Sequence, residues 1–102
     1  DMVLRSWHAG ALPASDWALL WWDETAMVLA RRDAVSPELL ARLEYKTRVN
    51  LDPFWVKLQA RRGAIGADLV EREIERNMRE AGINALNTDL LQAARTWIPK
   101  NL

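Results

Sequence analysis

Two short apolar runs, residues 17–22 and 26–30, face each other across the acidic pair Asp23-Glu24. Each run is too short for a stable helix, and the first holds three of the six tryptophans, a pattern that predicts a β-hairpin over about 17–31. In a chain of 102 residues such a hairpin has to organise the core. A two-residue turn at Asp23-Glu24 pairs Trp21 with Ala26, Leu19 with Val28 and Trp17 with Ala30 on one face. The other face carries Leu20 with Met27 and Ala18 with Leu29, so large side chains meet small ones across the ladder. Both faces are apolar, which predicts cover on two sides. Trp21 stands at the centre of this arrangement and is the expected buried anchor. Asp-Glu lacks the glycine that two-residue hairpin turns favour, so a four-residue loop from Trp22 to Thr25, with the same pairing beyond it, competes with the tight turn.

The size sets a single domain, with a sheet part over 1–33 and a helical part over 34–102. Half of the residues are hydrophobic and 27% are charged, ordinary globular usage. Fourteen basic and fourteen acidic residues cancel, which argues against a nucleic-acid footprint, where a clustered basic excess is expected. No cysteine is present, which excludes thiol catalysis, thiolate zinc sites and disulfides. No apolar run is long enough to span a bilayer, so direct membrane insertion is not expected. Residue 1 is Asp, and the expectation is a piece of a longer protein.

Met2-Val3-Leu4 suits the tail of a strand, and Ser6 offers an N-cap for a short turn through Trp7 to Leu12, ended by Pro13. After the hairpin the period becomes helical. Ser36-Pro37-Glu38 is an N-cap, a helix-compatible first residue and an acidic first turn, followed by Leu39, Leu40 and Leu43. Residues 46–52 read as a linker. Pro53 opens a second helix with Phe54, Val56, Leu58 and Ala60 as its apolar positions. A third helix begins near Ala67 or Asp68, sets Val70, Ile74, Met78 and Ala81 on one face, and stops at Gly82. Its outer face holds Glu71, Arg72, Glu75, Arg76 and Arg79, with Glu75 and Arg79 in the favourable i,i+4 order. Thr88 is the expected cap of the last helix, with Leu90, Leu91, Ala94, Trp97 and Ile98 as its stripe. The fold class is therefore α+β, a small α/β unit. A two- to three-stranded sheet with a central hairpin is followed by three to four helices, the last two an antiparallel pair.

The run "DWALLWWDETAMVLARRDAVSPELLARLEY" resembles the segment that follows the last membrane spans in bacterial polytopic membrane proteins of a mannosyltransferase-like group, many with tetratricopeptide-type helical tails. In that group a Trp opens one strand, an aromatic run reaches an Asp at the turn, and a small-to-apolar strand ends in Arg. Here those positions are Trp17, Trp21, Trp22, Asp23, Ala26, Val28, Arg31 and Arg32. The resemblance covers the first half of the chain and implies an extracytoplasmic, non-catalytic domain at the inner membrane, a cytoplasmic placement being the alternative. The partner it implies is another protein or the rest of the parent membrane protein. The acidic residues that transfer sugar in such enzymes have no equivalent here. The last two helices match one tetratricopeptide repeat in length but lack its signature, and a helical hairpin capping the sheet is the simpler reading.

No catalytic, cofactor or metal constellation emerges. His8 is the only histidine and has no partners at metal-ligand spacing. Ser6, His8 and Asp16 lack a nucleophile elbow and an oxyanion loop. Glu71 and Glu75 share a helix face but read as solvated charge. Gly63-Ala64-Ile65-Gly66, after Arg61-Arg62, precedes a helix, yet has neither the spacing nor the lysine of a phosphate-binding loop. Among the tryptophans, Trp17, Trp21 and Trp22 are strand-bound and read as core. Trp7 and Trp55 are the less constrained ones and the candidates for ligand contact, an accessory carbohydrate-binding module being the alternative function. The strand from Met2 to Leu4, or the hairpin, is expected to present an unpaired apolar edge, a template for another chain, which makes a homodimer a further expectation. Helices do not replace ladder partners, although a strand near 48–51 would cap the edge.

Overall fold

Asp23 shapes the hairpin with its own side chain. Its Oδ1 accepts hydrogen bonds from the Thr25 N–H at 2.8 Å, the Thr25 hydroxyl at 3.1 Å and the Ala26 N–H at 2.8 Å. A side-chain acceptor that mimics a turn in this way removes the need for glycine. In the computed structural model, which describes the backbone of residues 2–5 and the whole of 13–97, the loop therefore spans Asp23 to Ala26. It joins strands β2 (Trp17–Trp22) and β3 (Met27–Arg31). Strand β1 (Met2–Arg5) runs antiparallel along the other side of β3, giving the order β1-β3-β2. The turn expected after Ser6, with Trp7 and His8, lies outside the described residues, as does Ile98.

The pairing expected for the hairpin is corrected by this loop. Trp22 stands opposite Met27 and Trp21 opposite Val28. A bulge at Leu20 then shifts the register, so that Leu19 pairs with Leu29, Ala18 with Ala30 and Trp17 with Arg31. An extra residue in one strand reverses the side-chain alternation beyond it. Leu19 and Trp22 thereby join one face. Trp22, at 1% exposure, is the buried anchor, and Trp21 is only half-buried. The expectation for Trp21 is thus overturned by one bulged residue.

Both faces of the hairpin are covered. On one, Leu19, Trp22, Met27 and Leu29 pack with Tyr45, Val49 and the helical part; on the other, Ala18, Leu20 and Ala30 meet Val35, Leu40 and Leu43. Four helices follow: α1 (Pro37–Leu43), α2 (Pro53–Arg61), α3 (Ala67–Ala81) and α4 (Ala85–Ala94). Ser36 caps α1 by accepting from Leu39 N–H, and Asp52 caps α2 by accepting from Trp55 N–H. Gly82, at φ +88°, ends α3 in a conformation that side-chain-bearing residues rarely adopt. The pair α3 and α4 packs as an antiparallel hairpin, and α4 contributes Leu90, Leu91 and Ala94 to the core.

The cap of α4 is Asn84 rather than Thr88. Asn84 Oδ1 accepts from Asn87 N–H and Asn87 Oδ1 accepts from Asn84 N–H, each at 2.9 Å, a reciprocal capping box in which asparagine replaces the usual Glu or Gln. Thr88 lies inside the first turn, its N–H bonded to Asn84 O. The outer face expected for α3 needs two corrections as well. Arg76 turns inward: its guanidinium carbon lies 4.0 Å from the Tyr45 ring centre, and it donates to Leu43 O at 2.7 Å. Glu75 is paired across to Arg95, just past the end of α4, at 4.0 Å, while Arg76 takes Glu80 as its i,i+4 partner.

Residues 44–49, which run into the stretch 46–52 expected to be a plain linker, lie along the outer edge of β2. The Tyr45 N–H donates to Leu19 O at 2.8 Å and Arg48 donates to Trp17 O at 2.6 Å. From α3, the Asn77 amide donates to Trp22 O at 2.6 Å. The hairpin edge at β2 therefore has these three acceptors taken without any added strand, and β1 forms the other edge of the sheet. The segment is itself held by Glu73, whose buried carboxylate accepts from Lys46 N–H, Thr47 N–H and the Thr47 hydroxyl at 2.6–2.9 Å. Glu44 closes the far end with a two-pronged pair to Arg32.

Three predictions follow from this packing. Trp22→Ala should cost about 3–5 kcal/mol, the range for truncating a buried large aromatic, and Trp21→Ala clearly less. Chemical denaturation of the two variants checks the order, and an equal or reversed loss would place the anchor back at Trp21. Glu73→Ala strands two backbone donors and should cost on the order of 3 kcal/mol, with Glu73→Gln retaining part of the loss because one acceptor survives. A Glu73→Ala variant that melts with the parent would show that the segment 44–49 holds without its clamp.

The third concerns pH. Burial pushes Glu80 up, but hydrogen bonds from Arg76 and Tyr45 and the charges of Arg76 and Arg79 outweigh it and hold the carboxyl below its ordinary range. Asp23 is likewise lowered, its turn hydrogen bonds overcoming desolvation. A carboxylate depressed in the folded state adds stability above its unfolded pKa and loses it as pH falls through the folded value. Thermal stability should therefore hold near neutrality and decline below the ordinary carboxylate range. Glu80→Gln combined with Asp23→Asn should flatten that decline, and an unaltered acid limb in the double variant would rule out these two groups as its source.

Candidate functional site

Of the two tryptophans expected to be available for contact, Trp7 lies outside the described residues and Trp55 sits on α2. That helix starts where Asp52 Oδ1 takes the Trp55 N–H at 3.0 Å and Pro53 presets the first turn. Val56 and Ala60, one turn apart and buried, fasten it to the core. Their position fixes which stripe faces out. Residues 54, 55, 58, 61 and 62 all lie on the opposite side and all are exposed. Phe54 is 68%, Trp55 52% and Leu58 42% exposed. Together they present apolar surface on the order of 300 Å², given the 150–250 Å² an aromatic side chain contributes. The largest apolar patch on a typical monomer is of about this size, and such patches are often functional.

The basic residues of the helix continue the same stripe. Arg61 and Arg62 follow Leu58 at the C-terminal end, and Lys57 flanks it half-buried. None of the ion pairs among the described residues involves these three. Asp52, the carboxylate of this segment, is occupied as the helix cap. The stripe is thus apolar in its first half and cationic in its second.

The apolar positions expected for α2, Phe54, Val56, Leu58 and Ala60, divide between two sides of the helix. Two apolar stripes run along α2, and the larger side chains take the outside. The signal that separates them is Arg61-Arg62, which falls on the Phe54, Trp55 and Leu58 stripe and marks it as the wet one.

Other candidates dissolve into structure. Gly63, at φ +80°, makes the turn into the loop before α3, but the start of that helix already carries a carboxylate. Asp68 stands in its first turn and pairs with Arg72 at 3.2 Å, which supplies negative charge where an anion would have to sit. Glu71 and Glu75 are half-buried on α3, and among the described residues no group of three His, Asp or Glu comes together to hold a metal ion. A groove of about 510 Å³ beside the ends of the hairpin is lined by Ser15, Asp16, Trp17, Arg31, Arg32 and Asp33. Its cations are spent: Arg31 pairs with Asp33 at 3.5 Å, and Arg32 with Glu44 and with Ala14 O at 2.8 Å. Tyr45 is no more available. Burial and its hydrogen bond to Glu80 push the phenol well above its ordinary range, so it stays protonated and donates to Glu80 at 2.7 Å.

Among the described residues no helix is long and apolar enough to cross a membrane. Compared with known proteins, the chain matches no family model, no curated protein and no solved structure.

Proposed function

We propose that this chain is a non-catalytic interaction domain of a bacterial membrane protein, placed on the extracytoplasmic face of the inner membrane, with the outer stripe of α2 as its contact surface. The observation that carries the reading is that stripe. A helix fastened by Val56 and Ala60 turns Phe54, Trp55 and Leu58 to solvent together, on one side. The half-buried and buried polar side chains point the same way, because Glu44, Tyr45, Glu73, Asn77 and Glu80 are engaged in contacts that hold the fold. The similarity of residues 16–45 to the mannosyltransferase-like group supports the membrane placement.

A carbohydrate-binding module is the second reading, favoured by the exposure of Trp55 beside Phe54. Aromatic rings stack on sugar faces, but a platform also needs polar groups placed for the hydroxyls, and the α2 stripe offers cations instead.

Two measurements test the proposal. A tagged parent protein should fractionate with membranes and lose this domain to protease added outside spheroplasts. Recovery in the soluble fraction, or protection from the protease, would sink the placement. Titration of the chain with saccharides should leave its tryptophan emission flat; a saturable change that disappears in Trp55→Ala would replace the proposal with the carbohydrate reading. Phe54→Ala with Trp55→Ala should alter stability by no more than about 0.5 kcal/mol per site, as for exposed positions, so that any loss of association reports on the surface.

A further inference from the structure

The arrangement along α2 is more specific than an apolar patch. Phe54 and Trp55 occupy the first turn, Leu58 the second, and Arg61 and Arg62 the end, all on one outward stripe. We propose that this stripe docks on the surface of an anionic lipid bilayer. The inference rests on the interaction-domain reading and names its partner.

Three observations select lipid over a second protein surface. The first is the pairing of residue types. Tryptophan and phenylalanine settle at the boundary between headgroups and acyl chains, while arginine beside them reaches phosphate, the composition of helices that lie in that plane. The second is charge. Arg61, Arg62 and Lys57 have no carboxylate partner among the described residues, in a chain whose total charge is zero, so a local cationic surface is left to meet an anionic one. The third is area. A stable protein pair buries about 800 Å² on each side, somewhat over half of it apolar, and the exposed apolar surface of the stripe, on the order of 300 Å², falls short of that apolar share. Lipid contact has no such threshold, because binding grows with each inserted side chain and each paired cation. The helix is nine residues long, too short to cross the bilayer, and lies along the surface with Val56 and Ala60 still buried in the domain.

The test uses the whole chain and two kinds of vesicle, phosphatidylcholine alone and phosphatidylcholine with a third replaced by phosphatidylglycerol. Cosedimentation and a blue shift of tryptophan emission report binding. The chain should bind the anionic vesicles and not the neutral ones, and high salt should release it. Arg61→Gln with Arg62→Gln should weaken binding about 30-fold, from roughly fivefold for each cation at the surface. Phe54→Ser with Trp55→Ser should abolish it while the far-ultraviolet circular dichroism stays that of the parent. No preference for anionic vesicles, or binding indifferent to both double variants, overturns the proposal. Self-association without vesicles that is lost in Trp55→Ala also overturns it, by assigning the stripe to a second copy. If the parent protein fractionates with membranes but this chain ignores vesicles, the lipid contact alone falls. If vesicle binding holds and the parent protein is soluble, the placement falls instead.

Discussion

A buried carboxylate on α3 joins the two halves of this protein. Glu73 accepts three hydrogen bonds from Lys46 and Thr47, two of them from backbone N–H groups. An ionised group is costly to bury unless its acceptors are filled, and here the fillers are donors of a segment that would otherwise have none. The benefit runs both ways. Once residues 46 and 47 are held, Tyr45 is delivered to the edge of β2, where its N–H meets Leu19 O and its ring meets Trp22 edge-on at 6.1 Å. Its hydroxyl reaches Glu80, and Arg76 lies over its ring. Sheet and helices therefore share one polar seam as well as one apolar core.

The seam also explains what the molecule has left to offer a partner. Outward carbonyls of β2 are taken by Tyr45, Arg48 and Asn77, so the β2 edge of the sheet is already occupied at these three positions. Asn77 in turn accepts from Asn87 of α4 at 3.1 Å, which ties the helical hairpin to the same edge. α2 stands apart from this network. Small side chains hold it, and its large ones are free of the core. Its fastening and its exposure have one cause, since two apolar stripes cannot both face inward on a helix of nine residues.

Local chemistry made much of the architecture legible in advance. Ser36-Pro37, Asp52-Pro53 and Gly82 mark helix boundaries through groups within one turn of the chain, and the structure places α1, α2 and the end of α3 there. The double apolar face of the hairpin likewise announces cover on both sides. The polar interior was not legible. Glu73 and Asn77 sit among charged neighbours on α3, outside its expected apolar stripe, and their partners lie 26 or 27 and 55 residues away, beyond any periodic pattern. The capping box of α4 was hidden because Asn87 plays a part usually taken by Glu or Gln.

The sequence by itself determined the order of elements, their types and most of their ends, because each depends on dihedral preferences and hydrogen bonds spanning a few residues. Tertiary structure alone decided the register of β2 on β3, and with it that Trp22 rather than Trp21 is the anchor. A bulge gains nothing locally; it is selected by the packing that it permits beneath α3. For α2, Arg61-Arg62 marks the wet stripe in the sequence, while the fit of Val56 and Ala60 into the space left by the rest of the core is a tertiary matter.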